Sequence, residues 1–345
     1  MAGQTDIGLP GLTGAYRLRW KRRRFLFRIW RKKLELTAVA DRTKAIAPSD
    51  ILLFATVRNE MQRLPYFLQH YRNLGVRHFL IVDNGSTDGS AAYLRAQDDV
   101  SLWSTDHSYK LSRFGMDWIG WLQLRHGHGH WCLTVDADEL LVYPDVETRA
   151  LSDLTAWLDR AGQHAMGALL LDLYPRGPVT APSPDAARDP LSHLQWFDPD
   201  GYRSKRHPYY GNAWIQGGVR ERMFFRDAPE RAPSLNKIPL VRWDRRFAYV
   251  SSTHQILPRR LHLDYDLNRP DHVSGVLLHT KFLPDIGARS AEETQRRQHF
   301  ENSALYQDYY RDLQQGPTLW QEGSARYFGS HSLVQRGLMS KGNWV

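Results

Sequence analysis

Short apolar runs alternate with segments of helical period along the first half of the chain. Residues 51–57 (ILLFATV) are apolar almost throughout, the pattern of a strand buried on both faces. Leu64, Phe67, Leu68, Tyr71 and Leu74 then recur at helical spacing, and Gly75 stands where a C-terminal cap belongs. The run at 78–83 (HFLIVD) predicts a second buried strand, ending in the turn-rich NGSTDGS, which can cap a helix from about Ser90. Further strands are expected at 100–103 (VSLW) and 130–138 (HWCLTVDAD), with a helix between them carrying Met116, Ile119, Trp121 and Leu122. This alternation predicts an α/β fold, a mostly parallel sheet with helices on both faces. Beyond residue 144 the pattern is less regular. Strands are expected at 167–175 and 273–282, followed by a polar helical stretch from about Arg289 to Leu313. The chain therefore reads as a segment at 1–48, a regular half at 49–145, a less regular half of the same domain at 146–288, and a helical region at 289–345.

Composition changes this picture at one place. The 345 residues, 42% hydrophobic, suffice for one large core. The net charge of +9 is concentrated: between Tyr16 and Lys33 stand ten Lys or Arg and no acid, so the remainder would carry 9 − 10 = −1. Trp20, Phe25, Leu26, Phe27, Ile29 and Trp30 are interleaved with these cations. A basic aromatic helix at 16–33 suits an anionic membrane surface; a solvated tail, or a helix packed on the domain through its aromatics, are the other readings. No nucleic-acid-binding motif accompanies the charge, so nucleic acid is not an expected partner. The single cysteine, Cys132, excludes a disulfide framework and points to a reducing compartment, hence the cytoplasm or, peripherally, the inner face of the cell membrane. No apolar stretch is long enough for a membrane-spanning helix, and the N-terminus lacks a signal-peptide pattern.

The candidate chemistry lies where the predicted strands end. Parallel sheets bind ligands at the carboxyl ends of their strands, where loops converge and helix N-termini point amides outward. Arg58, Asn59 and Glu60 follow the first strand, Asp83 and Asn84 the second, and Asp136 and Asp138 the fourth. In extended chain Asp136 and Asp138 project to the same side. Two hard oxygen ligands with room for water suit Mg or Mn bridging a substrate diphosphate; capping of the following turn is the structural alternative. Asp83 can accept hydrogen bonds from a nucleobase or ribose hydroxyl, and can equally close an Asx turn. His279 and Lys281 end an apolar strand on one face. For a base that deprotonates an acceptor hydroxyl the candidates are Glu221, in GGVRERMFF (217–225), and His254, in SSTHQILP (251–258). An ion-paired hairpin and a satisfied structural histidine are the competing readings.

The segment 55–90 (ATVRNEMQRLPYFLQHYRNLGVRHFLIVDNGSTDGS), followed by VDADEL at 135–140, resembles the nucleotide-sugar domain of the family-two-like glycosyltransferases. It is most similar to the bacterial branch whose first loop reads R-N-E and whose metal motif reads D-x-D-E. The resemblance covers roughly Ile51 to Pro144 and extends more loosely to the HTKF segment at 279–282. It implies the A-type glycosyltransferase fold, a nucleoside diphosphate sugar donor (a UDP-sugar favoured), a divalent Mn or Mg ion, and a glycan or lipid-linked acceptor in cell-surface polysaccharide or lipopolysaccharide synthesis. Position by position, Thr56, Arg58 and Glu60 would flank the base and Asp83, with Asn84, the uracil or ribose side. Asp136 and Asp138 would reach the ribose and the metal, with Arg113 a further donor contact. His279 would complete the metal site, and Lys281 would meet the diphosphate. The family's second loop usually reads D-D-G-S, whereas this chain has Asp83-Asn84-Gly85-Ser86 and one carboxylate fewer. Two other functions fit the same layout: a non-catalytic protein binding a glycan or a membrane surface, and a sugar-phosphate nucleotidyltransferase. Against the latter, the loop Arg58-Asn59-Glu60 contains no glycine.

Overall fold

Uninterrupted apolar sequence becomes strand, and helical-period sequence becomes helix, most faithfully in the first half. The computed structural model describes residues 11–263, 265–267, 271–296 and 307–344. The strands of its first half are β1 (Thr37–Ala40), β2 (Ile51–Val57), β3 (Val76–Asp83), β4 (Val100–Ser104), β5 (Trp131–Thr134) and β6 (Glu139–Val142). Those of the second half are β7 (Ala165–Asp172), β8 (Trp196–Phe197), β9 (Arg203–Arg206), β10 (Ala213–Gln216), β11 (Asn236–Arg242), β12 (Ala248–Ser251), β13 (Gln255–Leu257), β14 (Gly275–His279) and β15 (Ala325–Arg326). Nine of them form one sheet in the order β1-β4-β3-β2-β5-β11-β7-β14-β6, and the rest pair into short two-stranded ribbons.

The block β4-β3-β2-β5 is parallel, as the alternation predicts. Helices α2 (Leu64–Leu74) and α3 (Ser90–Arg95) make the crossovers from β2 to β3 and from β3 to β4. The next crossover, through α4 (Met116–Leu122), runs back past β3 and β2 to β5. Right-handed crossovers of opposite direction lie on opposite faces, so α4 covers one face and α2 and α3 the other. Between β2 and β5 the strand order reverses, which opens a crevice at their carboxyl ends. Helix α2 has the predicted boundaries. Leu64, Phe67, Leu68, Tyr71 and Leu74 are its buried face, and Gly75 caps it at φ 98°.

The sheet as a whole is mixed, not mostly parallel, with four parallel and four antiparallel junctions. One cause is local. The strand expected at 130–138 stops at Thr134, and residues 135–138 turn the chain, closed by the Glu139 N–H donating to the Asp136 carbonyl (3.0 Å). A parallel neighbour needs a crossover of a dozen or more residues. So short a turn can only reverse direction, and β6 emerges antiparallel to β14 at the far edge of the sheet. Strand β11 runs antiparallel between β5 and β7, while β14 runs parallel to β7. The carboxyl ends of β2, β3, β5, β7 and β14 therefore share one edge, together with the amino ends of β6 and β11. Buried side chains from both halves form one continuous core, so the halves do not pack as separate domains.

The basic segment is a helix, α1 (Leu12–Lys32), docked on α4 and β12 through Leu18, Phe25 and Ile29. Ile29 lies so close to Gly120 that a Cβ there would stand 2.8 Å from its Cδ1. Arg28 pairs with the fully buried Asp117 at 2.6 Å. The packed-helix reading thus holds for one face of α1, and the free-tail reading does not. After β7 the chain runs mainly through loops and short ribbons rather than regular crossovers; the 217–225 stretch, expected as a loop or hairpin, contains a short helix at Gly218–Phe224. The polar C-terminal stretch forms helices at Ile286–Arg296 and Gln307–Gln314, the part between them lying outside the described residues. Among the described residues no helix is long and apolar enough to cross a membrane.

Candidate functional site

The loop after β2 lies against the loop after β3. Arg58 Nη1 donates to the carbonyls of Asn84 (2.7 Å) and Gly85 (2.9 Å), which holds the two strand ends together. Asp83 is buried: its Oδ2 accepts the Ser86 N–H at 3.1 Å, while its Oδ1 has no hydrogen-bond partner among the described residues. The Asx turn and an available acceptor thus coexist in one carboxylate. Thr56 Oγ1, on the same strand edge facing Gly115, is also buried without a partner. Glu60 differs from the donor contact expected of it. Its two oxygens accept from Arg289 Nη1 (2.7 Å) and Nη2 (2.5 Å), tying the first loop to the C-terminal helix at 286–296. Arg63 reinforces that tie by a bidentate contact to Asp285 (2.9 and 3.1 Å).

Two further donor-contact expectations are corrected. The Asn84 amide donates to the carbonyls of Thr105 and His107, both at 3.0 Å, so its side chain secures the loop after β4. Arg113 stands at φ 54° with its guanidinium bonded to Asp117 (2.8 Å) and the Tyr249 carbonyl (2.6 Å), over the Phe25 ring. It is consumed in joining α1, α4 and β12.

Across the crevice, the structure brings Asp138 and His279 together. Asp138 is fixed through its carbonyl, which accepts the Thr280 N–H (2.7 Å) and hydroxyl (3.1 Å). Its Oδ2 stands 3.1 Å from His279 Nε2. His279 Nδ1 contacts Asp172 Oδ1 at 2.6 Å, and Asp172 Oδ2 accepts from Arg220 Nε at 2.7 Å. Burial alone would raise both carboxyls. His279 nevertheless holds Asp138 well below the usual carboxylate range, and Arg220 with His279 brings Asp172 down to about 2. Burial opposes charge on His279, but its two carboxylate neighbours outweigh it and raise the imidazole. Burial, with Arg220 nearby, brings Lys281 down to about 8.

This geometry fits a divalent ion. With the Nδ1 proton given to Asp172, the Nε2 lone pair faces a carboxylate oxygen, an arrangement that repels unless a proton or a cation lies between. Adjacent ligands on an octahedron with bonds of about 2.1 Å stand about 3 Å apart, which matches the 3.1 Å separation. Asp136 does not join them. Because the strand ends at Thr134, side-chain alternation no longer places the two aspartates on one side. Asp136 is half-exposed and 3.6 Å from Lys237 Nζ. Among the described residues no group of three His, Cys, Asp or Glu side chains forms a metal cage, so the expected three-residue set of Asp136, Asp138 and His279 reduces to the last two. Lys237 also pairs with Glu139 at 2.8 Å, and Glu139 Oε2 accepts the Asp136 N–H at 3.2 Å, so this pair shapes the turn from beneath. Burial, together with Asp136 and Asp138, pushes Glu139 up to about 7 despite Lys237.

Neither candidate base is free to act as one. Both Glu221 oxygens are held by the Arg203 guanidinium, one at 2.8 Å. His254 is half-buried, with Nδ1 donating to the Asn236 carbonyl at 2.6 Å, and burial together with Lys237 brings it down to about 3. It is a satisfied structural histidine.

Three site residues escape the sequence reading: Asp172, Arg220 in its role behind Asp172, and Lys237. Asp172 had a signal. The run LLLD (169–172) ends a buried strand in an acid just as LIVD (80–83) does, and β7 ends at the same sheet edge as β3. Lys237 had none, because a lysine inside a buried strand is explained only by partners a hundred residues away. The class these features define is a mixed α/β protein with a polar cluster of buried ionisable side chains at the carboxyl edge of its sheet, beside a topological switch point. No protein-family model matches the chain, and no curated protein matches it.

Proposed function

We propose that the protein is a metal-dependent glycosyltransferase of the A-type fold, moving a sugar from a nucleoside diphosphate donor, preferably a UDP-sugar, to a glycan or lipid-linked acceptor hydroxyl in cell-surface polysaccharide or lipopolysaccharide synthesis. The observation that carries it is the Asp138–His279 pair at 3.1 Å, fixed from behind by Asp172 at the same sheet edge as the strand ends that bear Thr56 and Asp83. In this reading Asp138 and His279 would hold Mn or Mg, which would also bind the donor diphosphate. An ion held by these two side chains would supply positive charge against that building on the departing nucleoside diphosphate. The unpartnered Oδ1 of Asp83 would accept from the base or a ribose hydroxyl. Asp136, half-exposed at the turn, faces the ribose side, and Lys281 supplies a cation to the diphosphate. Asp172 and Arg220 orient His279 so that Nε2 points at the site, the usual service of a carboxylate behind a metal-binding imidazole.

The test is nucleoside diphosphate release from a panel of nucleotide sugars with purified protein and Mn²⁺. Release with at least one donor is expected, abolished by chelation and reduced on the order of a thousandfold in Asp138→Ala. Release with no donor, or release indifferent to Asp138→Ala, would overturn the proposal.

A further inference from the structure

Helix α1 has two faces, and only one of them is used by the fold. Leu18, Phe25 and Ile29, spaced by seven and four residues, lie on the docked side. Tyr16, Trp20, Phe27 and Trp30, again at intervals of four, seven and three, form a stripe on the opposite side. Each is 48 to 61% exposed, which is far more than a packed aromatic shows. The stripe continues into Leu34, 83% exposed in the turn after the helix, and spans about 27 Å at 1.5 Å per residue. Its rings are ordered in pairs: Tyr16 against Trp20 edge-on, and Phe27 stacked with Trp30, each at 6.1 Å. Cations flank the rings. The Arg23 guanidinium lies 5.5 Å from the Trp20 ring, and Lys33 Nζ lies 4.6 Å from Trp30 and 5.5 Å from Trp121.

The charges divide the same way. Arg28 and Lys32 turn inward to Asp117 and Glu35, and Lys21 to the Tyr210 hydroxyl. Arg17, Arg19, Arg23, Arg24 and Arg31 are exposed, and among the described residues none has a carboxylate within ion-pairing distance. A straight, apolar aromatic stripe bordered by uncompensated arginines has one complement that is both flat and anionic. We propose that α1 is an in-plane membrane anchor: its outer stripe lies in the headgroup region of a bilayer bearing anionic phospholipids, with Trp20, Phe27 and Trp30 inserted and the five arginines on lipid phosphates. The inner face simultaneously holds the domain, so the sheet edge is carried at a fixed orientation to the membrane. A tail would leave that orientation free. The pairing of Arg28 with the buried Asp117 and the Ile29–Gly120 contact make α1 a rigid mount.

The experiment is co-sedimentation of the full chain with vesicles of phosphatidylcholine alone and of phosphatidylcholine mixed with phosphatidylglycerol. Binding is expected only with the anionic lipid, and to weaken as salt is raised. Arg17→Ser/Arg23→Ser/Arg24→Ser should lower the partition coefficient about fivefold per arginine, since each cation near the surface contributes about 1 kcal/mol. Trp20→Ser/Phe27→Ser/Trp30→Ser should lower it at least tenfold. All six positions are on the unpacked side, so thermal melting should stay at the wild-type value. As a readout independent of variants, bilayers brominated in the acyl chains should quench part of the wild-type tryptophan fluorescence. Equal sedimentation with neutral and anionic vesicles, no sedimentation with either, undiminished binding in both variants, or absence of quenching would each overturn the proposal. So would salt-sensitive binding of RNA, lost in the same variants, by a chain that leaves vesicles untouched. Neither variant touches the strand-edge site, so nucleoside diphosphate release in solution should be unchanged; the two proposals therefore fail separately.

Discussion

The parallel half of the sheet, β4-β3-β2-β5, and its mixed half, β11-β7-β14-β6, are built on different principles. In β2 and β3 the interior is apolar, with Leu52, Leu53, Phe54, Leu80 and Ile81 all fully buried, and polar groups appear where the strands end. In the mixed half of the sheet the strands carry charge into the interior. Lys237 lies one residue inside β11 and is 3% exposed, Glu139 begins β6 at 1%, and Asp172 and His279 end β7 and β14 with little exposure. The first half is held by burial of area, which any apolar side chain of the right size supplies. The second half is held in part by specific partners, and a partner cannot be exchanged singly. Each half therefore responds differently to the same kind of insult.

The largest difference should come from breaking an ion pair. Lys237→Met leaves Glu139 buried beside Asp136 and Asp138 without its cation, and should cost about 3–5 kcal/mol in urea denaturation at neutral pH. Glu139→Leu/Lys237→Met should recover most of that loss, because an apolar pair has no charge to desolvate. A single-variant cost under about 1 kcal/mol, or a double variant as damaged as the single, would erase the contrast with the apolar half.

A smaller effect is expected from acid. His254, half-buried against β11, is down at about 3, whereas an unfolded chain's histidine titrates near 6.5. The folded value is the lower one, so the group's stabilising contribution is complete above about pH 6.5 and is lost as pH falls toward 3. Between about pH 6.5 and 4.5 the loss from this one site is on the order of 2–3 kcal/mol. Denaturant midpoints measured along that range should fall more shallowly in His254→Gln, which keeps a donor for the Asn236 carbonyl without a titrating ring. Identical slopes in the two proteins would place the acid sensitivity elsewhere.

The same contrast explains what could be read from the chain in advance. Helix α2 and its cap, strands β2 to β4 and the acids after them are legible because burial and hydrophobicity coincide there, and a helix or strand announces its own period. The Asp138–His279 pairing is legible in part, since both residues end apolar runs. The turn at 135–138 is hidden, because LLV in β6 continues the apolar pattern of β5 and nothing in the composition marks the reversal. Arg113, Asn84 and Glu60 are misread for a different reason. Their residue types suit a ligand, but each is spent on an element distant in sequence: the carbonyl of Tyr249, the loop after β4, and Arg289. His254 belongs with them, since nothing local shows that the Asn236 carbonyl waits for it. Sequence periodicity reports which way a side chain points relative to its own element. It does not report which partner has already claimed it.

The mildest perturbation tests the half that was easiest to read. Gly75 holds φ 98° at the end of α2, and a Cβ placed there would meet nothing within 4 Å. Gly75→Ala therefore removes no contact and creates no clash, and its cost is the backbone strain of an L residue in the left-handed region, partly offset by the lower entropy of the unfolded chain. The expected loss is about 1 kcal/mol. Because β3 begins at the next residue, Val76, the strain has no loop in which to relax. A loss well above this, measured by thermal or urea unfolding, would mean that the α2-to-β3 connection governs the register of the parallel block, and that this half too depends on a specific device. A loss near the expected value would leave its stability where the apolar pattern puts it, in the area buried by β2, β3 and the helices across them.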